Sequence, residues 1–538
     1  IKTQERDKDG YAITNGKGRQ VGIGATGQRS DVGSIVISDT DYVGTCIGVG
    51  YHGDVRTITI TDSNITATPV QPVLAKNDEG EAATGIGAGL EGSAGSISIT
   101  GSTVVANGIS GGPGIGNGGA LNEAATDITA IHNGSTGSIV IDDSTVTATG
   151  SVGGESKVQA PPPNEGIWVY YIAASPGIGC GGNSHVDKIA IKGSTVTSTA
   201  GSDKYKGAAG IGAGSFANCG PIEISDSTVV ATGKHTGAGI GSGGIDTRML
   251  EVYDVSEGIA NIIKTAGIKT STISIADSNV TAHGGSYGGA GIGGARNGSV
   301  DGDITIADSV VDAKGGGDGA GIGASRRETA VTGSLYMDHT IAISGASQVT
   351  ATGGDRSAGI GGSFGAAVRA IDISLATIQD PEVPSNHGFT NFVKATGGKG
   401  AAGIGSGAAT EGAVQPGSEG VSVAVSGGYV YAKGGGSGAG AAGAGPGIGV
   451  GAARSGKSHS DRINGFTVIG GYVEAVAGGS GADDIGCGVG TENKGTGVWN
   501  VTGGTILADT WNVDTPIIDG GSISAQLTGA KNSADERV

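Results

Sequence analysis

A three-part repeat runs through the whole sequence and constrains its fold more than any other feature. Each copy begins with Gly-Ile-Gly, continues with an Ile-x-Ile run, turns at an Asp-Ser or Gly-Gly pair, and ends with a run similar to Thr-Val-Thr. Successive copies are commonly about thirty residues apart, a period typical of solenoid proteins. The Gly-Ile-Gly copies begin at Gly22, Gly85, Gly114, Gly177, Gly210, Gly239, Gly291, Gly321, Gly359, Gly403 and Gly447, and degenerate copies begin at Cys46 and Asp484.

The alternation of residues within each copy predicts short β-strands. In the copy at 139–148, Ile139, Ile141 and Val146 are expected inside, while Val140, Thr145 and Thr147 are expected outside. Three strands in about thirty residues make one coil of a parallel β-helix, whereas a propeller blade has four. We therefore predict an all-β fold, a single-stranded right-handed parallel β-helix of about 13–14 coils, its hand following the preference of parallel crossovers.

The repeat also divides the chain into a β-helix and two caps. Residues 1–20 are polar and lack the repeat, so we expect an N-terminal cap, followed by the β-helix over 21–498 and a C-terminal cap over 499–538. Open β-edges invite further pairing, and Trp499 and Trp511 are expected to plug the second end. Insertions interrupt the coils near 150–176, 245–268 (expected to form a short helix), 326–340 and 375–395.

Composition and charge exclude several classes of protein. Glycine accounts for 112 residues, but not at every third position, which excludes collagen, and the recurring Ile, Val and Ala argue against disorder. A net charge of −18 argues against nucleic acid and anionic membranes as partners. No apolar run is long enough to cross a bilayer. We expect a monomer that acts outside the cell, secreted or on its surface, as an excised piece of a larger protein.

The cysteines do not indicate a metal site. Cys46, Cys180, Cys219 and Cys487 show no CxxC spacing, which argues against zinc, and we expect no cofactor. Cys180 and Cys219 fall in neighbouring repeats, so they either form a disulfide or remain buried thiols.

Three tyrosines form the first candidate binding surface. The outward positions of the Thr-Val-Thr run are usually Thr, Ser or Asn, but Tyr429 and Tyr431 occupy both in one copy and Tyr472 occupies the first in the next. The register of the repeat places Tyr429 above Tyr472, exposed on a flat sheet. Such rings suit the apolar face of a sugar. The alternative is a tyrosine ladder that only stabilises the sheet.

A second candidate surface lies in the insertion at 150–176. Trp168, Tyr170 and Tyr171 follow three consecutive prolines, and a stiff loop presenting three aromatic side chains suits ligand contact. The same residues could instead fold back as a local core.

Acidic residues are plentiful, but most have a structural explanation. Asp62, Asp143, Asp226, Asp277 and Asp308 occupy one position of the repeat, as turn formers do. Asp483 and Asp484 break the repeat and form the best acid pair for a glycosidase.

For a polysaccharide lyase, the nearest suitable group is Arg326 and Arg327 with Asp338 and His339. We expect no catalytic residue in this chain.

The recurring Gly-Ile-Gly, Ile-x-Ile and Ser-Thr-Val-Thr-Ala arrangement resembles repeats in secreted proteins of gut anaerobic bacteria. It is most similar to carbohydrate-binding module family 89, over nearly the whole chain. The resemblance implies a right-handed β-helix that binds xylan and is covalently linked to a xylanase; it assigns no binding residue. Three hypotheses follow: a non-catalytic binding module for plant cell-wall polysaccharide, first of all xylan; a β-helix glycoside hydrolase or lyase; or a structural stalk or adhesin.

Overall fold

The computed structural model describes most of the chain as two compact units, residues 1–271 and 272–538. The described residues are 2–4, 22–25, 31–50, 52–69, 83–119, 134–152, 155–159, 167–171, 174–201, 206–246, 268–326, 337–379, 386–408, 421–438, 443–453, 463–491, 498–511, 517–518, 520 and 522–527.

In the first unit, the strands form three parallel ladders, one for each part of the repeat. The Gly-Ile-Gly ladder contains Ile23–Ala25, Ile47–Val49, Ile86–Ala88, Ile115–Asn117, Ile178–Cys180, Ile211–Ala213 and Ile240–Gly241. The Ile-x-Ile ladder contains Asp31–Ser38, Asp54–Thr61, Ser93–Thr100, Ser135–Asp142, His185–Lys192, Asn218–Cys219, Ile222–Ser225 and Lys269–Thr270. The Thr-Val-Thr ladder contains Asp41–Gly44, Asn64–Ala67, Thr103–Asn107, Thr145–Thr149, Thr195–Thr199 and Thr228–Thr232.

The second unit has the same three ladders. Its Gly-Ile-Gly strands are Ile292–Gly293, Ile322–Gly323, Ile360–Gly361, Ile404–Gly405, Ile448–Val450 and Ile485–Cys487. Its Ile-x-Ile strands are Ile273–Ala276, Ser299–Val300, Ile304–Ala307, Met337–Gly345, Val368–Leu375, Val421–Gly427, Ile463–Val468, Val498–Val501 and Ile517–Ile518. Its Thr-Val-Thr strands are Asn279–His283, Val310–Lys314, Gln348–Thr352, Phe392–Thr396, Tyr429–Lys433, Tyr472–Val476, Thr505–Trp511 and Ser522–Leu527.

These ladders confirm the all-β parallel β-helix, since each coil contributes one strand to each of three parallel ladders. The part of the chain that the structure describes contains no α-helix. Ile139, Ile141 and Val146 are buried, whereas Thr145 and Thr147 are exposed, as the alternation predicts. Side chains of one type therefore stack on their equivalents in the next coil, inside and outside.

Among the described residues of the first unit, three pairs of strands are antiparallel. Lys2–Gln4 pairs with Asp31–Ser38, and Lys206–Gly207 pairs with Gly244–Ile245. The insertion at 150–176 contains a hairpin in which Glu155–Gln159 pairs with Ile167–Tyr171. The helix expected within 245–268 falls at 247–267, outside the described residues, as does most of the N-terminal cap.

The second glycine of Gly-Ile-Gly permits the close approach of successive coils. In Gly116 the φ angle is 139°, and a Cβ atom there would lie 1.7 Å from the carbonyl oxygen of Gly179 in the next coil. A Cβ atom on Gly87 would likewise lie 1.7 Å from the carbonyl oxygen of Gly116. Only glycine combines this backbone conformation with this contact.

Buried serines at the turn between the Ile-x-Ile and Thr-Val-Thr strands form a hydrogen-bonded ladder that joins this turn in successive coils. The Ser144 hydroxyl donates to the carbonyl oxygen of Asp142 at 2.7 Å and accepts from the N–H of Ser102 at 3.1 Å. The N–H of Ser144 in turn donates to the hydroxyl of Ser194 at 3.0 Å. The same bonds recur at Ser63, Ser102, Ser194, Ser278 and Ser309.

The residue before this serine adopts the left-handed region, which confirms that the repeated aspartates form turns. Their φ angles lie between 46° and 51° at Asp62, Asp143, Asp226, Asp277 and Asp308. Gly101, Gly193 and Gly345 replace them in other coils at 56° to 67°. Aspartate and glycine are both tolerated in this region.

Aromatic side chains fill the interior near the C-terminal end, as the sequence predicts. Trp499 pairs in register with Phe466, and the two rings are 5.4 Å apart. Trp511 lies 5.9 Å from Trp499, and both are buried. The parallel ladders continue past residue 499 to Ser522–Leu527, within the segment expected to form the cap.

The cysteines of the structure are buried free thiols, so the second alternative for Cys180 and Cys219 is confirmed. Burial raises the pKa of the Cys46 and Cys180 thiols to about 12. Thiols protonated in this way are inert at neutral pH.

The glycine contact generates a first prediction. Gly116→Ala should destabilise the protein by about 3 kcal/mol or more, because the new methyl group meets a carbonyl oxygen and the backbone must remain at positive φ. Chemical denaturation measures the change. Thr147→Ala, an outward substitution in the same coil, should change stability by less than about 0.5 kcal/mol. Equal effects of the two substitutions would contradict the close-packing argument.

The serine ladder generates a second prediction. Ser144→Ala removes one buried hydrogen bond and leaves the N–H of Ser102 without its acceptor, so stability should fall by about 1–3 kcal/mol. Thr145→Ala, at the adjacent exposed position, is the matched control and should be nearly neutral. Thermal unfolding of both variants checks this, and an unchanged midpoint for Ser144→Ala would show that the hydroxyl is dispensable.

Candidate functional site

The tyrosines lie where the repeat predicts, in two neighbouring columns of the Thr-Val-Thr ladder. Tyr429 pairs in register with Tyr472, and Tyr431 pairs with Glu474. The strand on the other side contributes Phe392 beside Tyr429 and Lys394 beside Tyr431. This set, Phe392, Lys394, Tyr429, Tyr431, Tyr472 and Glu474, is called the tyrosine face below.

The expected exposure of Tyr429 is wrong. This side chain is only 5% exposed, whereas Tyr431 and Tyr472 are half-buried. Residues of the insertion at 375–395 cover it: the ring of His387 lies 5.6 Å from that of Tyr429 and stacks on that of Tyr472 at 4.2 Å. The ring of Phe389, also buried, lies 6.5 Å from that of Tyr472. Tyr429 is therefore part of a small aromatic core, whereas Tyr431 and Tyr472 are partly exposed, with one face of the Tyr472 ring covered by His387.

The covering segment is held in place by backbone and side-chain hydrogen bonds. Phe389 forms an antiparallel bridge with Gln379, which closes the insertion at its base. The Asn391 side-chain amide donates to the carbonyl oxygen of Ala376 at 2.7 Å, and the N–H of Tyr429 donates to the carbonyl oxygen of Asn391 at 3.1 Å. The insertion is thereby joined to the strand that carries the tyrosines.

Glu474 is the polar centre of the tyrosine face. Its carboxylate accepts a hydrogen bond of 2.8 Å from the Tyr429 hydroxyl and lies 3.6 Å from Nε2 of His387. The carboxylate side chain is 23% exposed and the imidazole 46% exposed, so both can contact a ligand. Lys394 lies on the opposite side of Tyr431, with its ammonium group 4.8 Å from the ring centre of Phe392.

The electrostatics of this face keep the phenols neutral. Burial raises the pKa of Tyr429 well above its usual range, and the hydrogen bond and charge of Glu474 raise it further. Burial, followed by the charge of Glu474, also raises the pKa of Tyr431 and Tyr472. Phenols that stay protonated can donate hydrogen bonds to a ligand or a neighbouring carboxylate.

The second candidate, Trp168, Tyr170 and Tyr171, lies on the hairpin strand Ile167–Tyr171. The backbone register pairs Trp168 with Val158, Tyr170 with Ser156 and Tyr171 with Glu155. The structure thus places the three aromatic residues on one strand of a hairpin within the insertion. The three prolines lie outside the described residues.

The acid pair has a structural role. The Asp484 carboxylate is buried and accepts hydrogen bonds from the N–H groups of Ala477, Asp509 and Thr510, at 2.5, 2.6 and 2.9 Å. Asp483 accepts from the N–H of Cys487 at 2.9 Å. Asp484 joins the turns of successive coils and Asp483 holds its own turn, so both carboxylates are engaged in backbone hydrogen bonds.

Of the residues considered for a lyase, the structure describes the side chains of Arg326 and His339. Arg326 is ion-paired with Asp318 at 2.9 Å, and His339 is buried. Arg327 lies outside the described residues, and only the backbone of Asp338 is described.

Sequence reasoning missed the two polar residues that complete the tyrosine face. Glu474 occupies an outward position where other coils have Thr, so its replacement of the repeat residue was a usable signal. His387 lies in an insertion that has no repeat register, and nothing in the sequence relates it to Tyr472.

Comparison with known proteins found no matching family model, no similar curated protein and no similar solved structure. The described residues contain no group of three or more His, Cys, Asp and Glu side chains able to bind a metal ion. They also contain no helix long and apolar enough to cross a membrane.

The contacts of Asp484 generate a third prediction. Asp484→Asn should lower stability by about 2–3 kcal/mol, because charge-assisted hydrogen bonds to backbone amides are lost. Asp143→Asn is the matched control: it is an exposed turn residue at a φ of 46°, which asparagine also adopts, and should be neutral. Urea denaturation compares the two. Unchanged stability of Asp484→Asn would refute the structural role.

Proposed function

We propose that this chain is a non-catalytic carbohydrate-binding module that holds plant cell-wall polysaccharide, with xylan as the first ligand to test. The partly exposed rings of Tyr431 and Tyr472, with Lys394 and Glu474 in register with Tyr431 on the neighbouring strands, are the observation that carries the proposal. In this proposal the module acts outside the cell, as part of a larger secreted polysaccharide-degrading protein.

The chemistry of a sugar ring matches that of the tyrosine face. A pyranose has an apolar face of C–H groups and an equatorial rim of hydroxyls, and aromatic side chains contact the first while charged groups bind the second. Tyr431 lies between Lys394 and Glu474, with neighbouring strands about 4.8 Å apart. A ring stacked on Tyr431 would have a hydrogen-bond donor on one side and an acceptor on the other.

The flat parallel sheet suits an extended polymer better than a small ligand. The tyrosine face is part of a ladder that continues in register to Gln348–Thr352 on one side and Thr505–Trp511 on the other. An extended glycan could lie along this surface and contact several coils. A cluster of catalytic carboxylates is not needed for such binding, and Asp483 and Asp484 are engaged in backbone hydrogen bonds.

A structural stalk is the second candidate, and the first unit provides the observation that favours it. From Asn64 onward, after the exposed Asp41 of the first strand, its outward positions form an uncharged array of Thr, Val and Asn on the Thr-Val-Thr ladder. The residues of this array are Asn64, Thr66, Thr68, Thr103, Val105, Asn107, Thr145, Thr147, Thr149, Thr195, Thr197, Thr199, Thr228, Val230 and Thr232. Such an even surface fits a spacer, whereas the tyrosine face interrupts the same pattern in the second unit.

Substitution of the accessible tyrosines tests the proposal. Tyr431→Ala and Tyr472→Ala should each weaken binding to a soluble neutral xylan by roughly tenfold, because loss of ring contact costs about 1–2 kcal/mol. Affinity electrophoresis measures retention, and a reducing-sugar assay on the same samples should detect no cleavage. Binding should change little with salt, as expected for a neutral ligand.

Thr350→Ala is the matched control, because Thr350 occupies the column of Tyr431 two coils earlier. It should retain full affinity.

Tyr429→Ala should instead lower stability, since that ring is buried. Full retention by a Tyr431→Ala, Tyr472→Ala double variant would refute the tyrosine face as the binding site, and release of new reducing ends would refute the absence of catalysis.

A further inference from the structure

A second polar cluster lies in the second unit, at the corner where Thr-Val-Thr strands lead into Gly-Ile-Gly strands. The loops of successive coils stack there through backbone hydrogen bonds from Gly316 to Gly289, from Gly354 to Gly319 and from Gly398 to Ser357. Tyr287, Asp318, Arg356 and Lys399 lie in four of these loops. The arginine corner is defined as Tyr287, Asp318, Arg326, Arg356 and Phe364.

Two guanidinium groups of the arginine corner converge on one carboxylate. Arg356 donates from Nε and Nη2 to Asp318, at 3.0 and 2.7 Å, and Arg326 donates from Nη1 at 2.9 Å. The Asp318 side chain is 10% exposed, whereas those of Arg326 and Arg356 are 26% and 19% exposed. The carboxylate is thus the most buried charged group of the cluster, and both arginine side chains are partly exposed.

The guanidinium groups are held on a buried aromatic ring. Their central carbons lie 5.2 Å (Arg326) and 5.6 Å (Arg356) from the ring centre of Phe364. The ring and the shared carboxylate fix both side chains, so little side-chain entropy remains to be lost when a ligand binds. A preorganised pair of this kind is suited to a planar anion, because guanidinium groups match carboxylate geometry.

An exposed aromatic side chain lies on the same corner, two coils before Arg356. Tyr287 is 47% exposed, and its loop is held by a hydrogen bond of 3.3 Å from Arg296 to the Tyr287 carbonyl oxygen. Two coils separate Tyr287 from Arg356, which corresponds to roughly 10 Å along the ladder. That separation is about the length of a disaccharide.

We infer that the arginine corner binds the carboxylate of a uronic acid residue, with a neighbouring sugar ring against Tyr287. The ligand class is an acidic plant polysaccharide such as a xylan with glucuronic acid branches. This inference rests on the proposed glycan binding but concerns a surface separate in sequence from the tyrosine face. In a chain with a net charge of −18, such a local cationic site is what would allow an acidic glycan to bind.

Chemical reduction of the ligand tests the inference without altering the protein. The whole chain is titrated with a glucuronoxylan and with the same polymer after its carboxyl groups have been reduced to alcohols. The reduced polymer should bind roughly tenfold more weakly at low salt, and the difference should shrink at high salt as charges are screened. Equal binding of the two polymers would overturn the inference and leave the proposed function intact, whereas binding of neither would refute the proposed function itself.

Variants then locate the site. Arg356→Gln should abolish the preference for the unreduced polymer while binding of the reduced polymer stays unchanged. Lys399→Gln is the matched control, since Lys399 lies one coil away, is 46% exposed and is paired with Asp355 at 3.1 Å; it should keep the preference.

Arg356→Gln removes a partner of the buried Asp318 and could therefore destabilise the protein. A further variant keeps the test decisive in that case. Arg356→Lys keeps the charge but not the bidentate geometry, and should reduce the preference severalfold. Thermal unfolding is recorded for each variant. A folded Arg356→Gln protein that retains the full preference would refute the site, as would loss of the preference in Lys399→Gln alone.

Discussion

The close contact between the glycines of successive coils is the constraint on which the rest of each unit depends. The second glycine of Gly-Ile-Gly has φ angles between 127° and 144° throughout. At Gly116, a Cβ atom would overlap the carbonyl oxygen of Gly179, so a side chain there would force the coils apart. Because this contact fixes the register, each position of the repeat lies next to the same position of the following coil. Buried isoleucines therefore stack on buried isoleucines, serines on serines, and outward residues on outward residues.

That register explains why the outward residues can differ between coils without damage to the fold. The buried ladders supply the apolar core and the satisfied turn hydrogen bonds, so outward positions contribute little to stability. Lys394, Tyr431 and Glu474 take the place of threonine on a sheet whose inside is unchanged. Single positions of the corner loops vary as well, since Asp318 and Arg356 lie within glycine-rich loops that stack through backbone hydrogen bonds.

The two polar surfaces of the second unit differ in charge and therefore in the ligand chemistry they suit. On the tyrosine face, neutral phenols lie between Lys394 and Glu474, an arrangement suited to uncharged hydroxyl groups. At the arginine corner, Arg326 and Arg356 share one buried carboxylate, and both arginine side chains are partly exposed. Both surfaces are compatible with one polysaccharide that carries neutral backbone sugars and occasional acidic branches.

The sequence by itself determined the coil, its three strands, the buried side of each strand and the register of Tyr429 on Tyr472, because each follows from a local period that repeats. Only the tertiary structure decided that Tyr429 is buried, since His387 covers it from an insertion that has no period. For the same reason the sequence could not relate Arg326 to Arg356: they meet through loops of successive coils, and their shared partner Asp318 occupies an ordinary turn position.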